Sequence, residues 1–311
     1  MRALVAGGAG FIGATMCARL LDRGDEVLCV DNLATGSRDN VKYLLERNGF
    51  SFVEANISDG VPVEGTFEAV INLACPASPA DFEPLALEIL DVGSRGVANL
   101  LALAQRDGAR FLQASTSEVY GEPLVHPQPE SYWGNVNPVG PRSVYDEAKR
   151  FGEALTMAYQ RKYGLETRIA RIFNTYGPRM RPEDGRMVSN FVNQALRGQP
   201  LTVHGDGSQT RSLCYVEDEV TGLLALLDSS CTGPVNMGND DERTVLDVAQ
   251  LVLELCGSTS GIIFVDRPTD DPSQRRPDLT LARRELGWEP TTPIREGLAR
   301  TIEWFKDRIE E

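Results

Sequence analysis

Short apolar runs alternate with helical patterns through the first half of this 311-residue chain. These runs are rich in β-branched and aliphatic residues and have the length of buried strands. They lie at residues 3–6, 27–30, 51–53, 69–73, 110–114 and 167–172. Between them, apolar residues recur at helical spacing, most clearly at 85–106 and 143–163. Because strands separated by helices pair in parallel through right-handed crossovers, the sequence predicts an α/β fold with a doubly wound parallel sheet.

The second half of the chain has a different pattern. After residue 172, Gly- and Pro-rich turns separate shorter helical patterns at residues 188–197, 217–227, 245–256 and 294–308. We expect a large first domain of residues 1–175, to which residues 213–235 return. Residues 176–212 and 236–311 are expected to form a smaller C-terminal domain that binds substrate. The crevice between the two domains then lies at the carboxyl ends of the parallel strands.

Acidic residues outnumber basic ones in this chain. There are 45 Asp and Glu against 31 Lys and Arg, a net charge of −14, which disfavours nucleic acid and anionic membranes as partners. Any anionic ligand therefore requires a local cationic pocket. The six cysteines form no CxxC pair and there are only two histidines, so we expect no metal site. The sequence opens without a charged leader and has no apolar stretch of about 18 residues, so we expect a cytoplasmic protein.

A glycine-rich loop follows the first predicted strand directly and opens a helix. Its glycines are Gly7, Gly10 and Gly13, with Phe11 and Ile12 at the start of the helix. Glycine lets the backbone approach a pyrophosphate, and the helix N-terminus supplies free N–H groups and a partial positive charge. In this context the loop predicts a Rossmann-like dinucleotide-binding site.

An acidic residue closes the second predicted strand. A carboxylate at the position of Asp31 accepts hydrogen bonds from ribose hydroxyls and repels a 2′-phosphate, so the sequence favours NAD over NADP. The loop after Asp31 is expected to line the adenosine side through Asn32, Thr35 and Gly36. The first domain is thus predicted to bind NAD.

A tyrosine and a lysine stand four residues apart in the predicted helix at 143–163. Tyr145 and Lys149 share one helix face, and we expect the ammonium to lower the pKa of the phenol into the range of a general base. The run Ser115-Thr116-Ser117-Glu118 ends a predicted strand, and Thr116 is expected to hydrogen-bond the phenol. Together these residues predict a hydride-transfer site.

Several longer segments resemble the extended short-chain dehydrogenases/reductases, and most closely the branch of UDP-glucuronate decarboxylases (UDP-xylose synthases). The segments are 72–79, 115–121, 126–130, 132–138, 140–142, Tyr145 to Lys149, 171–180, 184–186, 209–211, 270–272 and 275–278. They extend over nearly the whole chain. The run Tyr-Trp-Gly-Asn-Val-Asn-Pro at 132–138 is especially specific, because general folding rules do not explain it.

The resemblance implies NAD-dependent decarboxylation of UDP-glucuronate to UDP-xylose through a 4-keto sugar. Tyr145 would take the C4 hydroxyl proton while hydride passes to NAD; the ketone, β to the carboxylate, then lets carbon dioxide leave, and the hydride returns. The implied catalytic residues are Thr116, Glu118, Tyr145, Lys149 and Arg275. Glu118 and Arg275 would act near the sugar carboxylate.

The resemblance also implies binding residues and an assembly. Besides those named above, the implied cofactor contacts are Asn56, Ile57, Leu73, Ala74, Tyr145 and Lys149. The implied UDP-sugar contacts are Ser78, Glu118, Asn174, Arg179, Asn190, His204, Arg211 and Arg275. Among them, Asn174 and Arg211 would hold the diphosphate, and His204 would form a wall of the uridine pocket. A homodimer through the helices at 85–106 and 143–163 is implied as well.

Two other functions remain open at this point, and four positions depart from the family. Related 4,6-dehydratases carry an acid where Ser117 stands, and 4-epimerases have a small residue at Glu118, so both activities are disfavoured. A non-catalytic nucleotide-sugar-binding regulator is the second alternative, disfavoured by the intact Thr116, Tyr145 and Lys149.

The departures from the family are Asn56 for Asp, Asn72 for His, Asp91 for Lys and Gly93 for Asn. A glycine within a helix costs about 1 kcal/mol.

Overall fold

A computed structural model describes residues 1–309 of the chain. Its strands are β1 (Arg2–Ala6), β2 (Glu26–Asp31), β3 (Phe50–Glu54), β4 (Ala69–Asn72), β5 (Arg110–Thr116), β6 (Thr167–Ile172), β7 (Thr175–Tyr176), β8 (Leu201–His204), β9 (Thr210–Ser212), β10 (Cys214–Tyr215), β11 (Pro234–Met237), β12 (Glu242–Thr244), β13 (Ile262–Val265) and β14 (Gln274–Arg275). Its helices are α1 (Phe11–Asp22), α2 (Ala86–Asp91), α3 (Val97–Asp107), α4 (Ser143–Tyr163), α5 (Met187–Leu196), α6 (Val216–Asp228), α7 (Val245–Cys256), α8 (Thr280–Leu286) and α9 (Ile294–Ile309).

A seven-stranded sheet organises the molecule, in the order β11-β6-β5-β4-β1-β2-β3. All of its neighbouring strands are parallel. The six predicted strands are present within two residues of their expected ends, and the α/β fold class is confirmed. The chain order reverses direction between β1 and β4, so a crevice opens at the carboxyl ends of these two strands.

Helices cover both faces of this sheet. In β1, Ala3 and Val5 pack on one side with α1 and α6, whereas Leu4 and Ala6 pack on the other side with α3. All four side chains have 0% exposure. Strands that are buried on both faces have continuous apolar sequences rather than alternating ones. This is why these strands can be recognised in the sequence as short apolar runs.

The later part of the chain forms smaller sheets above the crevice. The strands β12, β9 and β14 form one sheet, in which Arg211 and Arg275 are direct register partners. The pairs β10–β7 and β13–β8 are separate, and α5, α7 and α9 pack against one another. The strand β11, by contrast, joins the large sheet beside β6. The division into two domains stays a prediction.

The two clearest helix predictions have different outcomes. The helix predicted at 143–163 is confirmed as α4. The one predicted at 85–106 is interrupted by a wider π turn, Val92–Gly96, between α2 and α3. In this turn, a Cβ on Gly93 would lie 2.6 Å from the Cβ of Ala148 in α4. The absence of a side chain at Gly93 therefore allows this π turn to contact α4 at Ala148. Ala148 directly precedes Lys149.

We expect Gly93→Ala to lower the free energy of unfolding by about 1–3 kcal/mol, because the added methyl group overpacks the contact with Ala148. Urea unfolding measures this change. The companion substitution Ala148→Gly removes the opposing methyl group, so the double variant should recover part of the loss. Strictly additive effects in this double-mutant cycle would show that the two residues do not collide.

Candidate active site

The loop between β1 and α1 is closely packed. A Cβ on Gly13 would lie 2.0 Å from the carbonyl oxygen of Gly7, and Gly7 itself has a φ of +76°. The first turn of α1 has no side-chain cap and no acidic residue, so the N–H groups of Phe11 and Ile12 stay available to an anion. The loop therefore fits a pyrophosphate, as the sequence predicts.

Asp31 is held against this loop. One oxygen of its carboxylate accepts from the N–H of Ala9 at 3.0 Å, and the other accepts from the N–H of Leu33 at 2.8 Å. Burial raises the pKa of Asp31, and these two hydrogen bonds oppose the rise. A Cβ on Gly36 would come within 3.0 Å of the same oxygens. The carboxylate is thus fixed beside the glycine loop, where a ribose would lie.

The predicted cofactor residues fall into two groups. Those that line the main cavity, of about 370 Å³, are Gly7, Gly10, Phe11, Ile12, Gly13, Thr35, Leu73, Tyr145 and Lys149. The others lie outside its lining: Asp31, Asn32, Gly36, Asn56, Ile57 and Ala74. Asn32 and Asn56 each accept a hydrogen bond from a backbone N–H two residues later, so both are engaged in their own loops. Ile57 is buried against the helix at Gly96.

The predicted base, Tyr145, lies in the first turn of α4 and lines the main cavity together with Thr116, at the end of β5. Tyr145 is 6% exposed and stacks on Phe82 with ring centroids 5.0 Å apart. The ammonium of Lys149 lies 5.6 Å from the Tyr145 ring and donates to the carbonyl of Ala114 at 2.9 Å. Thr116 ends the neighbouring strand and lines the same cavity.

The expectation that the pKa of Tyr145 is lowered into the range of a general base is wrong. Burial, followed by the nearby Cys75, raises the pKa of this phenol above its usual range. A hydrogen bond with Thr116 and the charge of Arg186 act in the opposite direction but do not prevail. The ammonium of Lys149 donates one hydrogen bond to the Ala114 carbonyl, and its charge is not among the main causes of this pKa. Ionisation of Tyr145 thus requires further positive charge in the cavity.

A buried ion cluster surrounds Glu118. Its carboxylate lies 2.9 Å from Nη2 of Arg142 and 3.4 Å from Nη2 of Arg275. Burial alone would raise the pKa of Glu118, but the charges of Arg275 and Arg142 override it and lower the value to about 2. Arg275 is fully buried and also donates to the carbonyl of Ser117 at 2.8 Å. Glu118 is therefore ionised at any physiological pH.

A third arginine completes this cationic region. Arg211 donates to the carboxylate of Asp271 at 3.0 Å, and Arg142 lies 3.8 Å from the other oxygen of the same carboxylate. Burial lowers the pKa of Arg211, with Asp271 opposing and Arg275 reinforcing the effect. The expected local cationic pocket in an acidic chain is present here.

The cavity brings most of the predicted substrate residues together. Those in its lining are Ser78, Glu118, Asn174, Arg179, Asn190, His204 and Arg211. Arg275 lies behind the lining and reaches the cavity through Glu118. Several of these groups already hold the local backbone: Ser78 donates to the carbonyl of Asp184, and Asn190 donates to that of Gly185 at 2.9 Å. Their role toward a substrate stays a prediction.

Sequence reasoning missed two arginines of this cavity. Arg142 stands just before α4 and pairs with Glu118, while Arg186 pairs with Asp184 and lies over the ring of Phe11 at 5.8 Å. Both fall in segments that carried the family resemblance, 140–142 and 184–186. That resemblance gave them no role, and their positions depend on how distant segments pack.

No group of three or more His, Cys, Asp or Glu within residues 1–309 is arranged to hold a metal ion. No helix in the same range is both long and apolar enough to cross a membrane.

Comparison with known proteins identifies the class. Residues 3–238 match the model of the NAD dependent epimerase/dehydratase family, and the chain belongs to that family. It is 49% identical to UDP-glucuronic acid decarboxylase 5 of Arabidopsis thaliana over 310 residues, 99% of this chain and 90% of that protein. It is 47% identical to UDP-glucuronic acid decarboxylase 1 of Danio rerio over 309 residues, 99% of this chain and 73% of that one.

Solved structures of related enzymes have the same fold. A UDP-glucose 4-epimerase from Thermotoga maritima with UDP-glucose has a TM-score of 0.90 at 31% identity, over 99% of this chain and 100% of that one. A dTDP-glucose 4,6-dehydratase from Streptomyces venezuelae with NAD bound has a TM-score of 0.89 at 30% identity, over 99% and 97%. The predictions of a Rossmann-like fold and of NAD as cofactor are confirmed.

We expect Asp31→Asn to weaken NAD binding about ten- to a hundredfold, because hydrogen bonds to a charged group contribute about 1.5–3 kcal/mol. Isothermal titration with NAD measures the change. Glu54→Gln is the matched control: Glu54 is the register partner of Asp31 on β3, but is about half exposed and paired with Arg38. Equal losses in the two variants would contradict a ribose contact by Asp31.

Proposed function

We propose that this chain is an NAD-dependent decarboxylase that converts UDP-glucuronate to UDP-xylose. The observation that carries the proposal is the buried, ionised Glu118 between Arg275 and Arg142, in the same cavity as Tyr145. The names of relatives at nearly half identity support it. When bound, NAD accepts a hydride from the sugar and later returns it, and its oxidised ring brings a positive charge.

The first task of the protein is to take a proton from the sugar C4 hydroxyl. Tyr145 is the acceptor, with Thr116 hydrogen-bonded to it. Lys149 is held in place by the Ala114 carbonyl, and Arg186 adds a charge that favours the phenolate. Burial of Tyr145 excludes water, so this proton stays with the phenol until C4 is reduced again.

The second task is to remove the carboxylate carbon. A ketone at C4 lies β to the C6 carboxylate, so the C5–C6 bonding pair can move into the enolate as carbon dioxide leaves. The C6 carboxylate of the sugar has to enter beside the carboxylate of Glu118. Arg142 and Arg275 offset the repulsion between these two negative charges. The carbon at C5 then takes a proton, and the 4-keto pentose is reduced to the xylose form.

The nucleotide is proposed to lie in the later part of the chain. Asn174 and Arg211 hold the diphosphate, and the guanidinium is a suitable partner for its charge. Arg179 and Asn190 contact the nucleotide, and His204 forms a wall beside the uracil. In this arrangement residues 1–175, with 213–235, bind the NAD, and residues 176–212 and 236–311 bind the UDP-sugar together with Ser78, Glu118 and Asn174 of the first domain.

The closest alternative activities differ at two positions. Ser117 is too weak an acid to protonate a departing C6 hydroxyl, which argues against 4,6-dehydration. Glu118, fixed by two arginines, occupies space beside the sugar that an epimerase needs for turning its ketone. A regulator without catalysis has no need for the Tyr145, Lys149 and Thr116 arrangement. Each alternative predicts a different product from UDP-glucuronate.

We expect purified protein with NAD to release carbon dioxide from UDP-glucuronate and to form UDP-xylose, and Tyr145→Phe to reduce both at least about a hundredfold while NAD still binds. Product analysis by mass spectrometry and a carbon dioxide assay measure this. Tyr159→Phe, on the same helix, should retain activity. Undiminished activity of Tyr145→Phe would refute its role, and a wild-type protein that binds NAD without turnover would favour the regulator.

We further propose that a second copy of the chain covers α2 and α4. These helices pack on each other and expose Leu87, Leu90 and Phe151, at 78%, 40% and 51%. Pairing of two such faces gives a four-helix bundle and a homodimer.

All six cysteines lie among the described residues as free thiols, which fits the cytoplasmic location that we propose.

Sedimentation tests this assembly. We expect a wild-type dimer, and a shift toward monomer in Leu87→Glu, because a buried charge at an apolar interface is costly. Leu124→Glu is the control, since Leu124 is equally exposed at 78% but lies in the segment before α4. A wild-type monomer at micromolar concentration would refute the dimer.

A further inference from the structure

The proposed reaction consumes one proton in every turnover. When the carboxylate carbon leaves as carbon dioxide, its bonding pair remains on the sugar, and C5 must take up H⁺. The proton that Tyr145 removes from the C4 hydroxyl returns to that oxygen when C4 is reduced. The proton for C5 therefore comes from solvent, and the protein needs a path for it. This inference rests on the proposed function.

Asp146 is a buried acid that the steps above do not use. It follows Tyr145 directly on α4 and is 5% exposed. Its Oδ1 atom finds no hydrogen-bond partner among residues 1–309. A buried carboxyl oxygen without a partner is costly unless it carries a proton or meets water.

A second cavity opens beside Asp146. It has a volume of about 210 Å³ and is polar enough to hold several waters. Its lining consists of Gly121, Glu122, Asn135, Val136, Asn137, Arg142, Asp146 and Asp270. Arg142 also lines the main cavity, where it binds Glu118. Arg142 is thus shared by the two cavities, whereas Asp146 lines only the second.

The charges around Asp146 are of both signs. Burial, and next the charge of Glu118, raise the pKa of Asp146 to about 7, while Arg142 and Arg275 oppose the rise. Glu147 on the same helix adds to it, and the acidic Glu122 and Asp270 line the cavity. The nearest cations are already paired with Glu118, so they stabilise the Asp146 anion only in part.

We propose that Asp146 relays the proton for C5 from the second cavity to the Glu118–Arg142 pair. The carboxyl of Asp146 gives its proton to water held at this pair, and that water protonates the enolate carbon. The Asp146 carboxylate then regains a proton from solvent through the second cavity. Each turnover moves one proton inward and none outward. Asp146 acts through Glu118 and Arg142, and is not itself a catalytic residue.

The pH dependence of UDP-xylose formation in Asp146→Asn tests this proposal. At about pH 6 the wild-type acid is protonated, and we expect the variant to be at least about tenfold slower. At about pH 9 the wild-type group is ionised and delivers no proton, so the two rates should agree within about twofold. Asparagine has the shape of the protonated acid, so a structural loss is not expected.

Two further variants keep the result decisive. Glu147→Gln makes the same chemical change one residue later, at a side chain that is 39% exposed and outside the cavity lining. Its charge makes only the last of the contributions to the raised pKa of Asp146, so we expect a rate within about twofold of the wild type at both pH values. If Asp146→Asn does not fold by circular dichroism, Asp146→Ala is measured by the same ratio. A ratio of wild-type to variant rate that does not change with pH, in whichever variant folds, overturns the relay.

The same assay separates this inference from the proposed function. Carbon dioxide release by the wild-type protein, with a ratio that changes with pH, supports both. Release with a constant ratio overturns only the role of Asp146. Absence of carbon dioxide release from UDP-glucuronate overturns the proposed function, and the relay fails with it.

Discussion

The ion cluster at Glu118 is the interaction on which the rest of the site depends. It joins the end of β5, the residue before α4 and the short strand β14, which are separated by as many as 157 residues in the sequence. Removing one partner of a buried ion pair costs about 3–5 kcal/mol, because the other charge is left without compensation. The cluster thus links the earlier and the later part of the chain.

The same burial that strengthens this cluster works against the phenol beside it. Tyr145 loses the solvation that an anion needs, and burial raises its pKa further than Thr116 and Arg186 lower it. Arg186 contributes part of the required positive charge. With its pKa raised, Tyr145 stays a neutral phenol, which cannot accept a proton, until further positive charge enters the cavity.

Local sequence patterns were sufficient for the frame of the molecule. Strands buried on both faces have unmistakable apolar runs, and α4 begins and ends where its periodicity does. The π turn at Val92–Gly96 was not predictable, because the residue that Gly93 contacts there, Ala148, is far away in the sequence. Arg142, Arg186 and Asp146 escaped for the same reason: their importance comes from neighbours that folding brings to them. The pKa of Tyr145 was misjudged because spacing on a helix says nothing about desolvation.

The sheet that carries Arg211 and Arg275 has a consequence for how loops of this chain can vary in length. Successive side chains of a strand point to opposite faces, so a slip of one residue in β14 would turn Arg275 away from Glu118 and Arg276 toward it. An insertion within the exposed residues 266–270 is tolerated only if β14 keeps its alignment with β9. We therefore expect natural or engineered changes of length to be tolerated in this exposed segment, and to be excluded directly before β14.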